Sequence, residues 1–251
     1  MRKGTEGRRA QKDGLNFGHD MAIMMPQNEQ SEEKTMRYDT VLFDMDGTLL
    51  DTLEDILNAA NHTLRALGYP ERTLAEMRRF VGNGAEMQMR RALGPEADEE
   101  TVRRALALYK PYYAAHCQIR TKPYAGLAEL LAELKGRGFR LAVVSNKPDE
   151  AVKPLARQHF GTLLDAALGE TAQRRRKPAP DMVNDALRAL GAEKSRAVYV
   201  GDSEVDIETA KNAGIACISV CWGFRDREQL IAAGAEKIAA NAAELKELLE
   251  Q

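Results

Sequence analysis

Apolar residues follow two rhythms along this chain. Short, mainly apolar runs at Val41 to Phe43, Phe139 to Val144, Val198 to Val200 and Ile215 to Val220, with a weaker one at Leu164 to Leu168, predict buried strands. Spacings of three and four predict helices between them. Leu53, Ile56, Leu57, Ala60, Leu64 and Leu67 mark the first, with Thr52 and Asp55 read as a capping box and Gly68 as its stop. Residues 73–93 read as two short helices broken at Val81-Gly82-Asn83-Gly84. Val102, Ala105, Leu106, Tyr109 and Tyr112 predict a helix kinked or interrupted near Pro111. Further helices are expected at Leu127–Leu134, ended by Gly136, at 149–159, at 180–190, at 204–213 before Gly214, and after Asn241, which caps with Glu244.

Strands alternating with helices argue for an α/β protein whose parallel sheet is covered on both faces. From 53 to about 117 no strand is expected, so a helical block interrupts the alternation. Residues 1–36 mix Gly, Gln, Asn, Lys and Glu without either rhythm and read as a disordered leader, with Met36 placed as a start of the folded part. Glu6, Asp13 and Asp20 argue against a transit peptide, and Met21 to Pro26 is too short for a signal-peptide core.

Composition narrows the field only a little. With 44% hydrophobic and 29% charged residues, 251 residues suffice for a packed core. A formal net charge of -2 gives no general attraction to nucleic acid or to an anionic membrane. No apolar run approaches the ~18 residues of a membrane span. Cys117, Cys217 and Cys221 form no metal-spaced pair and suit a reducing, cytoplasmic setting.

Chemistry gathers where strands are expected to end. The first strand runs into Asp44-Met45-Asp46-Gly47-Thr48; taken alone, this also reads as a strand followed by an Asp-Gly turn. The second major strand ends in Ser145-Asn146-Lys147, where a hydroxyl and an amide can donate to a phosphate oxygen. Arg174-Arg175-Arg176-Lys177-Pro178-Ala179-Pro180 follows as a short basic loop, in which two prolines stiffen the chain beside Lys177. Its three arginines read as a solvated run rather than a nucleic-acid patch. The next strand ends in Gly201-Asp202-Ser203-Glu204-Val205-Asp206, with the two aspartates one helical turn apart and Glu204 read as solvent-facing. Asp44, Asp46 and Asp202 together match magnesium's demand for hard oxygen ligands, and no His or Cys cluster offers a transition-metal alternative.

In this order the four signals resemble the haloacid dehalogenase-like hydrolases over about residues 38–251, most closely their phosphoglycolate phosphatase-like branch. Val81 to Gly84, Lys177 to Asp181 and the stretch Val220 to Leu230 carry the closer likeness. The resemblance implies a Rossmann-like core formed by 37–53 and 120–251, with 54–119 as a small α-helical cap. It implies Asp44 as nucleophile, forming an aspartyl-phosphate, and Asp46 as general acid and base. Lys177 is the implied charge partner; Thr48, Ser145 and Asn146 bind the phosphate; Asp44, Asp202 and the backbone carbonyl of Asp46 bind Mg2+; and Asp206 orients Lys177 or a metal-bound water. Specificity is expected in the cap, with Arg79 and Val81 to Gly84 as candidates.

A small phosphorylated metabolite, first of all 2-phosphoglycolate, is then the expected substrate. Pyrophosphate, sugar phosphates and a β-phosphoglucomutase-type transfer are the alternatives, and a phosphate-binding scaffold is the non-enzymatic one. Thr48 in place of valine favours hydrolysis over mutase chemistry. Neither nucleic acid nor membrane is an expected partner, and oligomeric state is left open.

Overall fold

The computed structural model describes residues 37–251; the expectations for the leader lie outside them. Strand β1 (Thr40–Phe43) and the two-residue β2 (Leu50–Asp51) lead into four helices, α1 (Leu53–Ala66), α2 (Leu74–Phe80), α3 (Gly84–Leu93) and α4 (Glu99–His116). The chain returns through β3 (Lys122–Pro123), which pairs antiparallel with β2, Leu50 opposite Pro123. It then alternates through α5 (Leu127–Gly136), β4 (Arg140–Pro148), α6 (Asp149–Phe160), β5 (Ala166–Glu170), α7 (Asp181–Leu190), β6 (Ala197–Gly201), α8 (Glu204–Ala213) and β7 (Ala216–Val220). A short helix α9 (Arg227–Ala232), strand β8 (Ile238–Ala239) and α10 (Ala242–Leu249) complete it.

Six strands form one parallel sheet in the order β5-β4-β1-β6-β7-β8. Side chains alternate across it with period two, and both faces are apolar. Val41, Phe43, Leu141, Val143, Val198 and Val200 pack with α5, α6 and α10. Leu42, Ala142, Val144 and Tyr199 pack with α7 and α8 on the other face. This is why the strands read as continuous apolar runs rather than alternating ones.

From β1 the chain goes to one side of the sheet, to β4 and β5, and comes back to β6 on the other side. The connections after β1, β4 and β6 therefore part at their carboxyl ends, which opens a crevice at the switch point. The three acidic or polar clusters all fall there.

The helical block has an apolar cluster of its own, built from Ile56, Leu64, Met77, Met89, Ala105 and Tyr109 among others. Phe224, from the loop after β7, joins this cluster. Three arginines also tie the block to the sheet's loops through backbone carbonyls. Arg78 donates to the Gly223 and Phe224 carbonyls at 2.7 and 3.1 Å, Arg225 to the Val81 carbonyl at 3.2 Å, and Arg176 to the Asn83 carbonyl at 3.1 Å.

Two local expectations need correction. Thr52 makes no capping bond to α1. The Asp55 carboxylate instead accepts from the Arg120 and Thr121 N–H groups and the Thr121 hydroxyl, at 2.9–3.0 Å. A buried carboxylate takes whichever donors enclose it, and here these come from the returning chain. Helix α4 runs through Pro111 without interruption; the lost N–H costs one bond, and its buried tyrosines hold the helix in place. The β2–β3 ribbon, α9 and β8 were not anticipated, because two-residue strands leave no periodic trace.

Asp55 thus stitches the two strands of chain that enter and leave the helical block. Asp55→Ala strands two N–H groups and a hydroxyl and should lower unfolding free energy by about 3 kcal/mol. The check is the urea midpoint at unchanged m-value; a change under about 0.5 kcal/mol would mean that water replaces the carboxylate.

Candidate active site

The first strand delivers its acid as the apolar pattern requires. Asp44 N–H donates to the Val200 carbonyl at 2.9 Å, so Asp44 continues the β1–β6 ladder by one residue and then leaves it. Gly47 follows with φ of +85°, the left-handed turn that brings the chain back. A Cβ at Gly47 would lie 2.3 Å from Asp202 Oδ2, and one at Gly223 would lie 2.2 Å from the Gly47 carbonyl and 2.4 Å from the same Oδ2. Two glycines therefore make room for the Asp202 carboxylate between the loops after β1 and β7.

Lys177 enters from the loop before α7 and is buried. Its ammonium donates to Asp206 Oδ1 at 2.8 Å and to the Tyr199 hydroxyl at 3.0 Å, and is ion-paired with Asp44 Oδ1 at 2.8 Å. Burial by itself would lower the Lys177 pKa; the two carboxylates overcome that and hold it well above the ordinary lysine value. Tyr199 passes its own proton to the Val144 carbonyl at 3.1 Å. Asp206 Oδ2 accepts from the Ser203 N–H and hydroxyl at 3.1 and 2.6 Å. Asp202 Oδ2 accepts from the Phe224 N–H at 2.7 Å, and Oδ1 has a longer bond from the Thr48 hydroxyl at 3.3 Å.

Both bonds to the Asp44 carboxylate, from Lys177 and from the Met45 N–H at 2.7 Å, fall on Oδ1. Oδ2 has no protein partner among the described residues. Asp44 lines a cavity of about 450 Å³ that runs between the sheet's loops and the helical block. Asp46, Ser145, Lys147, Lys177 and Asp202 share its wall with Tyr109, Tyr113 and Val81 to Gly84.

Two expected phosphate ligands stand elsewhere. Thr48 is fully buried and off the cavity wall, turned behind the site toward Asp202, while its carbonyl accepts from the Trp222 indole at 3.0 Å. Asn146 reaches the wall, but its amide clamps the Lys177 backbone, accepting from the N–H at 2.6 Å and donating to the carbonyl at 3.1 Å. The register of β4 against β5 shifts between Val144 and Pro148, and in that irregular stretch Ser145 and Lys147 are buried at the site while the Asn146 amide turns to the Lys177 backbone. Ser145 Oγ accepts from the Lys147 N–H at 3.2 Å and keeps its own proton without a protein acceptor.

Arg79 is exposed and off the wall; its neighbour Arg78 makes the contacts to the sheet's loops. Glu204 is paired with Arg225 at 2.8 and 3.0 Å rather than simply solvated. The arginines beside Lys177 are paired too: Arg174 with Asp149 at 2.9 Å, Arg175 with Asp181 at 2.8 Å and Arg176 with Glu170 at 3.5 Å, so no open basic patch exists there.

Sequence reasoning missed Lys147 and Tyr199 as members of the site. A tyrosine inside a fully buried strand has to find a partner for its hydroxyl, which is a usable signal. A lysine that follows Ser145 and Asn146 where a buried strand ends, as Lys147 does, is another. The role of Gly223 left no trace, because it depends on a loop far away in sequence.

The chain's family is now apparent from both geometry and likeness. The profile of the haloacid dehalogenase-like hydrolases matches residues 41–220. The chain belongs to this family. It is 33% identical over 216 residues to a phosphoglycolate phosphatase of Vibrio parahaemolyticus, covering 83% of this chain and 95% of that protein. It is also 33% identical over 190 residues to a Pseudomonas putida phosphoglycolate phosphatase, covering 73% and 70%. Among solved structures, a Lactobacillus delbrueckii subsp. bulgaricus protein, provisionally named a phosphoglycolate phosphatase, superposes with a TM-score of 0.82 at 39% identity over 86% of this chain and 99% of that one. CbbY of Rhodobacter sphaeroides, solved with phosphate, gives 0.65 at 28% identity over 83% and 96%. The protein is a phosphatase with the α/β core of this family. No helix of the described residues is long and apolar enough to cross a membrane.

Hydrolases of this family generally use a divalent metal, and the donor set here fits one. Carboxylate oxygens of Asp44, Asp202 and Asp206 lie within 4.8 Å of one another. Asp206 is already engaged by Lys177 and Ser203, which leaves Asp44 and Asp202 as the carboxylates able to hold an ion. Their charge is under-compensated: burial, then Asp206 and Asp44, push the Asp202 carboxyl well above the carboxylate range. Burial pushes Asp44 up to about 7 against the pull of Lys177.

Since the ordinary value of Asp44 is 3.8, this carboxyl holds its proton more firmly in the folded metal-free protein than in the unfolded chain between 3.8 and about 7. The contribution of Asp44 to stability therefore falls as pH rises through that window. A divalent ion competes with those protons and recovers what is lost. Magnesium should raise the thermal midpoint more at pH 8 than at pH 5.5. A gain independent of pH would place the ion away from Asp44.

Proposed function

We propose that this phosphatase hydrolyses 2-phosphoglycolate through an aspartyl-phosphate on Asp44, with Mg2+ held by Asp44, Asp202 and the Asp46 backbone carbonyl. The observation that carries this reading is the asymmetry of Asp44, which lines the cavity: Lys177 and the Met45 N–H hold Oδ1, and Oδ2 takes no hydrogen bond from the described residues. A carboxylate fixed by one oxygen and free at the other is set up to attack.

Phosphoryl transfer asks a protein mainly for position and charge. Asp44 Oδ2 attacks phosphorus, and the bond from phosphorus to the ester oxygen breaks. Asp46 gives its proton to that oxygen, then takes one from the water that opens the acyl phosphate and returns Asp44. The Ser145 hydroxyl donates to a phosphoryl oxygen, and the buried Lys177 ammonium stabilises the negative charge around the transferring group. When bound, the metal supplies Lewis-acid charge neutralisation between nucleophile and phosphate.

Thr48 and Asn146 act on the protein here, the first on Asp202 and the second on the Lys177 backbone. Asp206 orients Lys177. The helical block serves as a cap that keeps bulk water and large esters from the cavity. The curated relatives of this length support 2-phosphoglycolate over the other small phosphate esters.

Phosphate release from 2-phosphoglycolate with magnesium should exceed that from pyrophosphate and sugar phosphates, and EDTA should abolish it. Asp44→Asn should lose at least about a hundredfold in rate, as expected when a covalent route costs several kcal/mol more. Activity retained within about tenfold would remove Asp44 as the nucleophile.

A further inference from the structure

We propose that Lys147 selects the carboxylate of the substrate, and that it does so by exchanging Asp46 for the substrate as its counter-ion. The inference rests on the reading of this cavity as a phosphomonoesterase site for a small phosphorylated acid.

A phosphorylated acid brings two anionic ends into the cavity, and the phosphate end is met by Lys177, Ser145 and a metal. The other end needs a cation that is not already committed. Among the described residues, the cavity wall offers Lys110, Lys147, Lys177 and Arg225. Lys177 is shared between Asp44 and Asp206. Arg225 is bidentate to Glu204 and also donates to carbonyls of the helical block. Lys110 is exposed on α4.

Lys147 alone of the four is both buried and held by a single carboxylate. Its side chain is 5% exposed, its ammonium lies 3.1 Å from Asp46 Oδ1, and it donates to the Tyr113 hydroxyl at 2.5 Å. Asp46 Oδ1 has no hydrogen bond of good geometry, so the pair is a contact of charges rather than a locked bridge. Such a pair can be opened by a competing carboxylate at little cost, because one anion replaces another on the same cation.

Position agrees with this assignment. Ser145 and Lys147 both line the cavity from the end of β4, where the register with β5 shifts. A small phosphorylated acid can place its phosphoryl group at the first and its carboxylate at the second. Tyr113 of the helical block fixes the Lys147 ammonium from above, and the Tyr113 ring lies 4.6 Å from it. Tyr109 stacks on Tyr113 and is itself held by Gln88 at 3.1 Å. Substrate length is thereby read between a strand of the core and a helix of the block.

The exchange has a consequence for catalysis. While Lys147 faces Asp46, the two side chains hold each other on the cavity wall. Once the substrate carboxylate takes over Lys147, the Asp46 side chain is free to turn toward the leaving oxygen. An ester without a carboxylate does not make this exchange, so discrimination should appear in turnover as well as in binding.

The test compares 2-phosphoglycolate with 2-hydroxyethyl phosphate, which replaces the carboxylate by a neutral hydroxymethyl group. Both esters present the same phosphoryl group to Asp44, so the ratio of their kcat/KM values reports on the carboxylate, including its effect on Asp46. The wild type should favour phosphoglycolate, and Lys147→Gln should cut that ratio by about 10- to 100-fold. Lys147→Arg should restore part of it, and Lys110→Met should leave it in place. An unchanged ratio in Lys147→Gln, its loss in Lys110→Met, or no preference in the wild type would overturn the assignment.

If the wild type releases phosphate from neither ester, the 2-phosphoglycolate reading of the cavity fails separately. Calorimetric titration of the two esters into Asp44→Asn, with and without Lys147→Gln, then decides. Tighter phosphoglycolate binding that vanishes in the double variant supports Lys147, and equal binding of both esters in both variants refutes it. Lys147→Met serves as the second variant should the glutamine variant fold poorly.

Discussion

A single buried ammonium organises the site. Lys177 is 3% exposed, and an unpaired charge there would be strongly destabilising. It is satisfied by three groups from three places: Asp44 at the end of β1, Tyr199 within β6, and Asp206 in the first turn of α8. Each partner is fixed in turn, Asp44 through the β1–β6 ladder, Tyr199 through the Val144 carbonyl and Asp206 through Ser203. The lysine's own backbone is clamped by Asn146 at the end of β4. Strands β4, β1 and β6 are neighbours, so the register of the sheet sets the geometry around the charge.

Even so, the site carries more negative charge than its two buried lysines answer. Asp44, Asp46, Asp202 and Asp206 face Lys147 and Lys177. Burial first, and the neighbouring carboxylates after it, raise the carboxyl pKa values of Asp44 and Asp202. Folding by itself would relieve such a cluster by separating it. Here the glycines at 47 and 223 do the reverse, since they let two loops close on Asp202 where any side chain would collide with it. A fold that holds acids together against their repulsion stores the affinity with which it takes up a cation.

The helical block is attached to the sheet's loops by contacts of a particular kind. Its links at Arg78, Arg176 and Arg225 end on backbone carbonyls, and Phe224 is the apolar insert. Guanidinium-to-carbonyl bonds are directional yet weak enough to exchange with water, which suits a cover that must admit a substrate. The Lys147–Tyr113 bond lies inside that boundary and joins the two sides at the cavity wall itself.

The apolar runs located every strand that matters to the site, and the acids, hydroxyl and lysine that end or follow them were visible as chemistry. This worked because a buried parallel strand needs continuous apolar residues, so the first polar residue after it marks the carboxyl end. It worked less well for partners. Thr48 and Asn146 carry the right atoms for a phosphate, yet Asp202 and the Lys177 backbone take them up. Thr52 and Asp55 have capping-box spacing, yet Asp55 serves donors 65 and 66 residues away.

By itself, then, the sequence determined the order of strands and helices, the helical interruption after β2, and the set of residues able to bind a cation and a phosphoryl group. Those features depend on local periodicity and on the chemistry of single side chains. Only the tertiary structure decided which of them meet: that Tyr199 completes the Lys177 shell, that Gly223 makes room for Asp202, and that Lys147 faces Asp46 under Tyr113. A hydrogen bond or an ion pair belongs to two residues at once, and its second member is chosen by how the sheet, its loops and the inserted helices pack.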